Sequence, residues 1–192
     1  MPVYVALLRG INVGGKNIIK MKALKQVFKA MELCEVQTYI QSGNVLFTSN
    51  EEKQLLLKKI EDGIEVALGF PVNVVLRTAA ELELIILNCP FSQREILEAE
   101  AWSEVESLYV CLLTQVPLQE KIKQLDIYKN DGDDYRILGQ EVYLLLHNGM
   151  GKSKLANNLH KLEVPATVRN WKTMNKLAAM AKAMNIGGNN GQ

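Results

Sequence analysis

The sequence predicts an α+β fold made of two halves with the same organisation. Short apolar runs alternate with amphipathic helical segments, the order β-α-β-β-α-β occurs twice, and one further helix follows each copy. The chain has 192 residues, of which 48% are hydrophobic and 22% are charged, so each half is large enough to bury a core. This composition excludes a chain that is mainly disordered.

The first half begins with a strand, because residues 3–8 form an apolar run that stops at a glycine-rich loop. Helical spacing of apolar residues predicts two helices, and a capping box, Ser49-Asn50-Glu51-Glu52, marks the start of the second. The turn Gln41-Ser42-Gly43-Asn44 joins two strands as a hairpin. In chain order the predicted elements are a strand at 3–8, a helix at 21–31, strands at 35–40 and 44–49, a long helix opened by the capping box at 49–52 with apolar residues as far as Leu68, a strand at 71–77 and a trailing helix that stops before Pro90.

The second half repeats this order. Pro117 marks the start of a helix, and Gly139-Gln140 predicts a hairpin turn between two strands. A bridging helix near residues 92–100, with its own Ser-x-x-Glu box, joins the halves. In chain order the predicted elements are a strand at 107–113, a helix at 117–125, strands at 134–138 and 141–146, a helix at 152–162, a weak strand at 164–169 and a trailing helix at 173–184.

This order of elements predicts two ferredoxin-like (βαββαβ) plait subdomains, each followed by an extra helix. In a plait the first and third strands are central and apolar on both faces, while the second and fourth are edges that tolerate polar residues or proline. The runs that should be central strands are apolar throughout: 3–8, 108–113 and 142–146. The predicted boundaries are an N-terminal subdomain at 1–91, a linker at 92–106, a C-terminal subdomain at 107–186 and a disordered tail at 187–192.

Charge is distributed unevenly along the chain, although the net charge is only +1. Residues 1–31 hold six Lys/Arg and no acid, and residues 142–192 hold seven against Glu163 alone. The middle of the chain holds 9 bases and 20 acids. The two basic segments predict local cationic patches, and the alternative is that they are solvated helix faces.

The segment Arg9-Gly10-Ile11-Asn12-Val13-Gly14-Gly15-Lys16-Asn17 has the G-x-x-x-x-G-K spacing of a phosphate-binding loop. The residue after the lysine should be Ser or Thr, because its hydroxyl holds Mg²⁺, but it is Asn17. No apolar strand ending in Asp completes such a metal site. The sequence therefore argues against an ATPase or GTPase.

Glycines and cations still make this loop a candidate anion site, because backbone N–H groups and positive charge both bind phosphate. In a plait the first and second strands are parallel, so the loop and the turn at 41–44 should emerge at the same end of the sheet and line one cleft. The predicted ligand-binding residues are Arg9, Asn12, Gly14, Gly15, Lys16, Asn17, Gln41, Ser42 and Asn44. The alternative is that the glycines serve only the backbone of a tight connection.

A second candidate anion site is the glycine turn Gly151-Lys152-Ser153-Lys154, which precedes a predicted helix. The alternative is an ordinary helix start with Ser153 in its first turn.

Arg169 and Trp171 form a third candidate, because Arg and Trp together hold stacked bases or a protein partner. The alternative is that Trp171 anchors the terminal helix in the core.

Catalytic motifs are missing from the sequence. His147 and His160 are too few and wrongly spaced for a metal site, and no G-x-S-x-G motif occurs. Cys34, Cys89 and Cys111 show no CxxC spacing, so we expect reduced thiols that are not essential. We predict no metal and no cofactor. The sequence identifies no catalytic residue and leaves open whether the chain is an enzyme. His147 is the histidine to test as a base.

No run approaches the ~18 apolar residues that a membrane span needs. The first residues also lack the basic segment of a signal peptide. Together with the unpaired thiols, these features predict a cytoplasmic protein without a membrane partner.

Five motifs occur together in this chain: A-L-L-R-G-I-N-V-G-G-K-N at 6–17, T-Y-I-Q-S-G-N-V at 38–45, P-F at 90–91, G-K-S-K-L at 151–155 and T-V-R-N-W at 167–171. In this combination they resemble the motifs of the bacterial family catalogued as domain of unknown function 1697. Cys89 departs from the pattern, in which Asn-Pro-Phe is usual. The resemblance implies two ferredoxin-like subdomains and no activity, since none is established for the family.

The sequence thus predicts a protein that binds a small phosphorylated ligand such as a nucleotide, or single-stranded nucleic acid, at residues 9–17. The central strands look covered on both faces, which favours a small ligand over RNA on a sheet surface. One alternative is an enzyme acting on a phosphorylated metabolite, with Arg9 and Lys16 stabilising charge. The other is a structural or oligomeric module, such as a homodimer, paired through the Met-rich terminal helix.

Overall fold

Two four-stranded antiparallel sheets organise the chain. The computed structural model describes residues 1–101, 103 and 105–188. One compact unit holds residues 1–84 with the last helix from Lys176 on, and the other holds residues 85–175. The mixed α+β class is therefore confirmed, while the predicted subdomain boundaries stay predictions.

The sheet of the first unit consists of β1 (Val3–Leu8), β2 (Cys34–Tyr39), β3 (Asn44–Thr48) and β4 (Val74–Thr78). Its strand order is β2-β3-β1-β4, so β1 pairs with β3 on one side and with β4 on the other. All six residues of β1 are buried. The prediction of a central strand that is apolar on both faces is confirmed here.

The helices of this part of the chain are α1 (Met21–Ala30), α2 (Lys53–Leu68) and α3 (Ala79–Leu87). Leu24 and Phe28 of α1 are fully buried, and the ring centroid of Phe28 lies 5.6 Å from that of Phe47 in β3. These apolar contacts fix the inner face of α1, while Lys22 and Lys29 are exposed and Lys25 is partly exposed.

Helix α2 begins later than its predicted capping box. The Oγ atom of Ser49 accepts the N–H of Glu51 at 3.1 Å, which forms a turn and not a helix start. Glu52 caps the helix instead, because its carboxylate accepts the N–H groups of Gln54 and Leu55 at 3.0 and 3.2 Å. The helix ends at Gly69, whose φ of 79° is left-handed.

The two edge strands of this sheet differ from their predicted limits. Glu35 has a φ of 51°, and the pairing of β2 with β3 shifts register between Cys34 and Gln37. This bulge interrupts the exposed edge, which limits its pairing with other chains. Strand β4 begins at Val74, so Pro71 lies before the strand and not within it.

The sheet of the second unit consists of β5 (Leu108–Leu113), β6 (Asp133–Leu138), β7 (Glu141–Leu146) and β8 (Ala166–Asn170). Its order, β6-β7-β5-β8, repeats that of the first sheet. The remaining helices are α4 (Gln93–Ala101), α5 (Gln119–Asp126), α6 (Lys154–Asn157), a 3-10 helix (Leu159–Leu162) and α7 (Trp171–Gly188).

The helix predicted at 152–162 is divided into α6 and the 3-10 helix. The amide of Asn158 donates to the carbonyl oxygen of Lys154 at 2.8 Å and interrupts the helix at that point, and Glu163, with a φ of 55°, ends the second piece. The last helix also differs from prediction, since it starts at Trp171 and includes Gly187, where the sequence predicts a disordered tail. Residues 189–192 lie outside the described residues.

The two halves share one feature at the level of single residues. Arg77 in β4 and Arg169 in β8 are buried, and the Nη1 atom of each donates to the carbonyl oxygen of the preceding residue at 2.9 Å. The residue after each arginine, Thr78 or Asn170, accepts the backbone N–H three residues later and so caps the next helix. The two halves therefore share the same junction between a strand and a helix: a buried arginine lies near the end of the strand, and the residue after it caps the helix.

Candidate anion-binding site

Residues 9–20 form a small hairpin beyond β1. The N–H of Lys16 donates to the carbonyl oxygen of Val13 at 3.1 Å, and Gly14 and Gly15 between them have φ values of 59° and 75°. A two-residue turn with positive φ at both positions favours glycine, which explains the Gly-Gly pair. Helix α1 begins only at Met21, so the phosphate-loop spacing does not lead into a helix N-terminus.

The side chain of Asn12 holds this hairpin against the turn that follows β2. Its Nδ2 atom donates to the carbonyl oxygens of Ile19 at 3.0 Å and Gln41 at 2.8 Å, and its Oδ1 atom accepts the N–H of Ile19 at 2.7 Å. The predicted meeting of the two loops at one end of the sheet is confirmed by these bonds. The amide of Asn12 is occupied by the protein itself.

The turn between β2 and β3 is fixed in the same way. Asn44 is fully buried, and its Nδ2 atom donates to the carbonyl oxygen of Tyr39 and to the Oγ atom of Ser42, both at 3.0 Å. Gly43 has a φ of 75°, and a Cβ at that position would lie 2.6 Å from the Cδ1 atom of Ile11. Asn44 therefore organises the turn from inside.

The exposed members of the predicted set are Arg9, Gly14, Gly15, Lys16, Asn17 and Gln41. The N–H groups of Gly14 and Gly15 take no part in the hydrogen bonds that close the hairpin, whereas the Nδ2 atom of Asn17 donates to the carbonyl oxygen of Gly10 at 3.3 Å. The structure brings the predicted residues together, and their role in ligand binding stays a prediction.

Helix α1 adds cations that the predicted set did not include. Lys22, Lys25 and Lys29 follow one another at positions i, i+3 and i+7, and this spacing places them on one face of the helix. Together with Arg9, Lys16 and Lys20 they are all the bases of residues 1–31, and none makes an ion pair with a carboxylate of any described residue. The charge count of this segment was the signal that could have identified them.

An open groove of about 430 Å³ runs between α1 and the edge strand β2. Lys25 and Lys29 supply its positive charge, and Glu35 is the carboxylate among its lining residues. The full lining is Lys25, Lys29, Leu33, Glu35, Val36 and Gln37. The groove thus places two of the α1 lysines beside the edge strand of the sheet.

The second candidate anion site has a structural explanation. The Oγ atom of Ser153 is buried and accepts the N–H of Ala156 at 3.0 Å, as the N-cap of the four-residue helix α6. Gly151, Lys152 and Lys154 are exposed. This geometry agrees with the alternative of an ordinary helix start.

The third candidate does not present its arginine to a ligand. Arg169 is 7% exposed, and its Nη1 atom also donates to the Oγ1 atom of Thr167 at 2.7 Å. Burial lowers the pKa of this guanidinium to about 10. Trp171 is half-buried at the start of α7. Arg169 is therefore an internal residue of the second sheet and is not available to stack on a base.

The motif Pro90-Phe91 is fixed by Arg136 of β6. The guanidinium carbon lies 4.1 Å from the centre of the Phe91 ring, and Nη1 donates to the carbonyl oxygen of Pro90 at 2.5 Å. Arg136 also pairs with Glu95 of α4. The hydrogen bond from Arg136, with those from the N–H and Oγ of Ser92, lowers the pKa of Glu95 to about 2.

A concavity of about 350 Å³ in the second unit is lined in part by His147, Phe91 and Leu145. The carboxylates that line it are Glu95, Glu98, Asp131, Asp133 and Asp134. Sequence reasoning missed them as a group because they come from separate segments of the acidic middle of the chain. Within residues 1–101, 103 and 105–188, no three His, Cys, Asp or Glu side chains are placed to hold a metal ion.

The thiols differ in exposure: Cys34 is exposed, Cys89 is half-buried and Cys111 is buried. Burial raises the pKa of the Cys89 thiol. The expected position of Cys111 inside a core strand is confirmed.

Of the helices in the described part of the chain, none combines the length and the apolar character needed to cross a bilayer. None of the curated proteins compared with the chain matches it. A solved structure titled as that of conserved bacterial protein SP0830 from Streptococcus pneumoniae is similar, with a TM-score of 0.69 and 28% identity over 94% of this chain and 98% of that one. The family model described as "Protein of unknown function (DUF1697)" matches residues 1–143. Since that match spans well over half of the chain, the protein belongs to the DUF1697 family.

Proposed function

We propose that the chain binds single-stranded nucleic acid through the cationic surface of residues 9–29. The observation that carries this proposal is that all six bases of residues 1–31 lack a carboxylate partner among the described residues. Exposed cations that are not neutralised within the protein attract a polyanion and release its counterions on binding.

The distribution of these cations favours a polyanion over a mononucleotide. Lys22 and Lys29 are seven residues apart on one helix face, which corresponds to about 10 Å. Arg9 and Lys16 extend the surface onto the hairpin. A mononucleotide presents its phosphates at one point, whereas a single strand presents a row of them. The open groove beside Lys25 and Lys29 suits a ligand that is longer than one nucleotide.

The proposed scaffold is a ferredoxin-like plait in each half. The order β2-β3-β1-β4, with β1 antiparallel to both of its neighbours, supports this topology, and β6-β7-β5-β8 repeats it. In this arrangement β1 and β2 run parallel, so the segments that follow both strands belong to one end of the sheet.

The test is fluorescence anisotropy with a labelled 12-nucleotide single strand and with a labelled nucleotide, over a range of salt concentrations. The variant Lys22→Ala/Lys25→Ala/Lys29→Ala should reduce the slope of log K against log salt by about 2, since each phosphate contact contributes about 0.7. The control Lys58→Ala/Lys123→Ala/Lys172→Ala makes the same change in net charge at exposed lysines and should leave the slope unchanged.

Two results would contradict the proposal. The first is wild-type protein that binds no oligonucleotide at low salt. The second is a nucleotide that binds at least as tightly as the oligonucleotide, with a shallow salt dependence, which would indicate a small-ligand site instead.

A further inference from the structure

Three aliphatic side chains are exposed at the end of the first sheet where the cationic hairpin lies. Val13 is 66% exposed, Ile18 is 74% exposed and Ile40 is 47% exposed. Each is adjacent in sequence to a residue of the Asn12 hydrogen-bond cluster, which joins Asn12, Ile19 and Gln41. We call residues 9–20 and 40–43 the tip. Single exposed aliphatic residues are common on proteins, but each of these three is the sequence neighbour of a residue in one hydrogen-bond cluster, which brings their backbones to the same end of the sheet.

Ile40 occupies a backbone conformation that β-branched residues avoid. Its φ is 47°, in the left-handed region, where Asn or Gly would be free of strain. Folding alone gives no reason for an isoleucine there, because its side chain is half exposed and the turn is fixed by Asn44 from inside. An exposed residue that is unfavourable for folding indicates a requirement outside the fold.

The tip is cationic as well as apolar. Arg9, Lys16 and Lys20 are exposed, and neither segment of the tip contains an acidic residue. A surface of this kind suits a ligand that carries negative charge next to apolar faces. Single-stranded nucleic acid has both, since its phosphates are charged and the faces of its unstacked bases are open to contact by apolar side chains.

We infer that the tip contacts unstacked bases of a single strand: Val13, Ile18 and Ile40 contact the base faces while Arg9, Lys16 and Lys20 hold the flanking phosphates. This inference rests on the proposed function and adds base contact to it. Helix α1 then supplies phosphate contacts only, and the tip is where the ligand's bases are held.

The test compares two 12-nucleotide ligands with the same number of phosphates, one with bases and one built of abasic sites. The variant Val13→Ser/Ile18→Ser/Ile40→Asn should lose about tenfold in affinity for the strand with bases and should bind the abasic strand as the wild type does. Its salt slope should not change, because no cation is removed. The control Leu55→Ser/Val66→Ser/Ile127→Ser alters exposed aliphatic residues elsewhere and should bind both strands as the wild type does.

Thermal unfolding of each variant shows whether it is folded, and Ile40→Asn relieves strain, so the tip variant should not be less stable than the control. If the tip variant binds both strands as the wild type does, while the α1 lysine variant binds them weakly, this inference is wrong and the proposed function stands. If the wild type binds neither strand, both fail. A tip variant that loses binding to anionic phospholipid vesicles but keeps its affinity for the strand with bases would make the tip a lipid contact and would overturn the inference.

Discussion

The Nδ2 atom of Asn12 lies 2.8 Å from the carbonyl oxygen of Gln41, and this bond joins two loops that are 29 residues apart in the chain. Both loops follow strands that point in the same direction. Asn12 also adopts a left-handed φ of 54°, which asparagine tolerates better than most residues. The position thus requires both a short amide side chain and this backbone conformation.

We predict that Asn12→Ala lowers the free energy of unfolding by about 2–3 kcal/mol, because it removes three hydrogen bonds and leaves backbone groups of Ile19 and Gln41 without their partners. Urea denaturation measures the change. Asn12→Gly keeps the backbone conformation and loses only the side chain, so the difference between the two variants isolates the backbone strain. An unchanged urea midpoint for Asn12→Ala would show that the cluster contributes nothing to stability.

Gly43→Ala should be more destabilising than Gly15→Ala, although both glycines have a φ of 75°. A Cβ at Gly43 would lie 2.6 Å from the Cδ1 atom of Ile11 and 2.9 Å from the Cβ of Leu8, whereas a Cβ at Gly15 meets nothing within 4 Å. We expect about 1 kcal/mol for backbone strain at Gly15 and about 3 kcal/mol for strain plus overpacking at Gly43. Equal losses in thermal or urea unfolding would mean that the packing around Ile11 adjusts without cost.

That β1 is buried on both faces and that the two loops meet could be predicted, because apolar pattern and strand direction determine them. The partners of Asn12 could not be predicted, since a polar side chain pairs with whichever backbone group the fold brings near. The division of the helix near Asn158 was missed for the same reason. The charge of the first 31 residues predicts a cationic patch, and the common face of the α1 lysines follows from the helix bounds that the structure gives.

The pairing of Glu95 with Arg136 should make stability depend on pH in the acid range. The pKa of Glu95 is lowered from 4.5 to about 2, so the carboxylate stabilises the folded state fully above pH 4.5 and loses this contribution as the pH falls towards 2. The side chain of Glu95 is 35% exposed, and solvent screening limits the contribution to about 1 kcal/mol. Urea unfolding of wild type and Glu95→Gln should therefore differ by that amount at pH 7 and converge at pH 2. A difference that persists at pH 2 would assign the effect to packing.

The thiols should react in the order of their exposure. Cys34 is exposed and should be labelled rapidly in native protein by a thiol reagent, Cys89 is half-buried with a raised pKa and should react more slowly, and Cys111 should react only when the protein unfolds. Mass spectrometry of digests taken during labelling gives the order. Rapid labelling of Cys111 without denaturant would contradict its burial in β5.

Glu35 lines the groove between α1 and β2, and we expect its substitution to strengthen the binding of a single strand. Its carboxylate lines the groove between α1 and β2 with Lys25 and Lys29, and it would repel a phosphate held by them. Glu35→Gln keeps the shape of the side chain and should raise the affinity for a 12-nucleotide single strand by about threefold at low salt, with the gain disappearing near 1 M salt, where the Debye length is about 3 Å. Asp62→Asn, at an exposed carboxylate of α2, makes the same change in net charge and should give a smaller gain. Equal gains in affinity for the two variants would show that only net charge matters and that the strand does not lie in the groove. A loss of affinity in Glu35→Gln would mean that the carboxylate itself contacts the ligand.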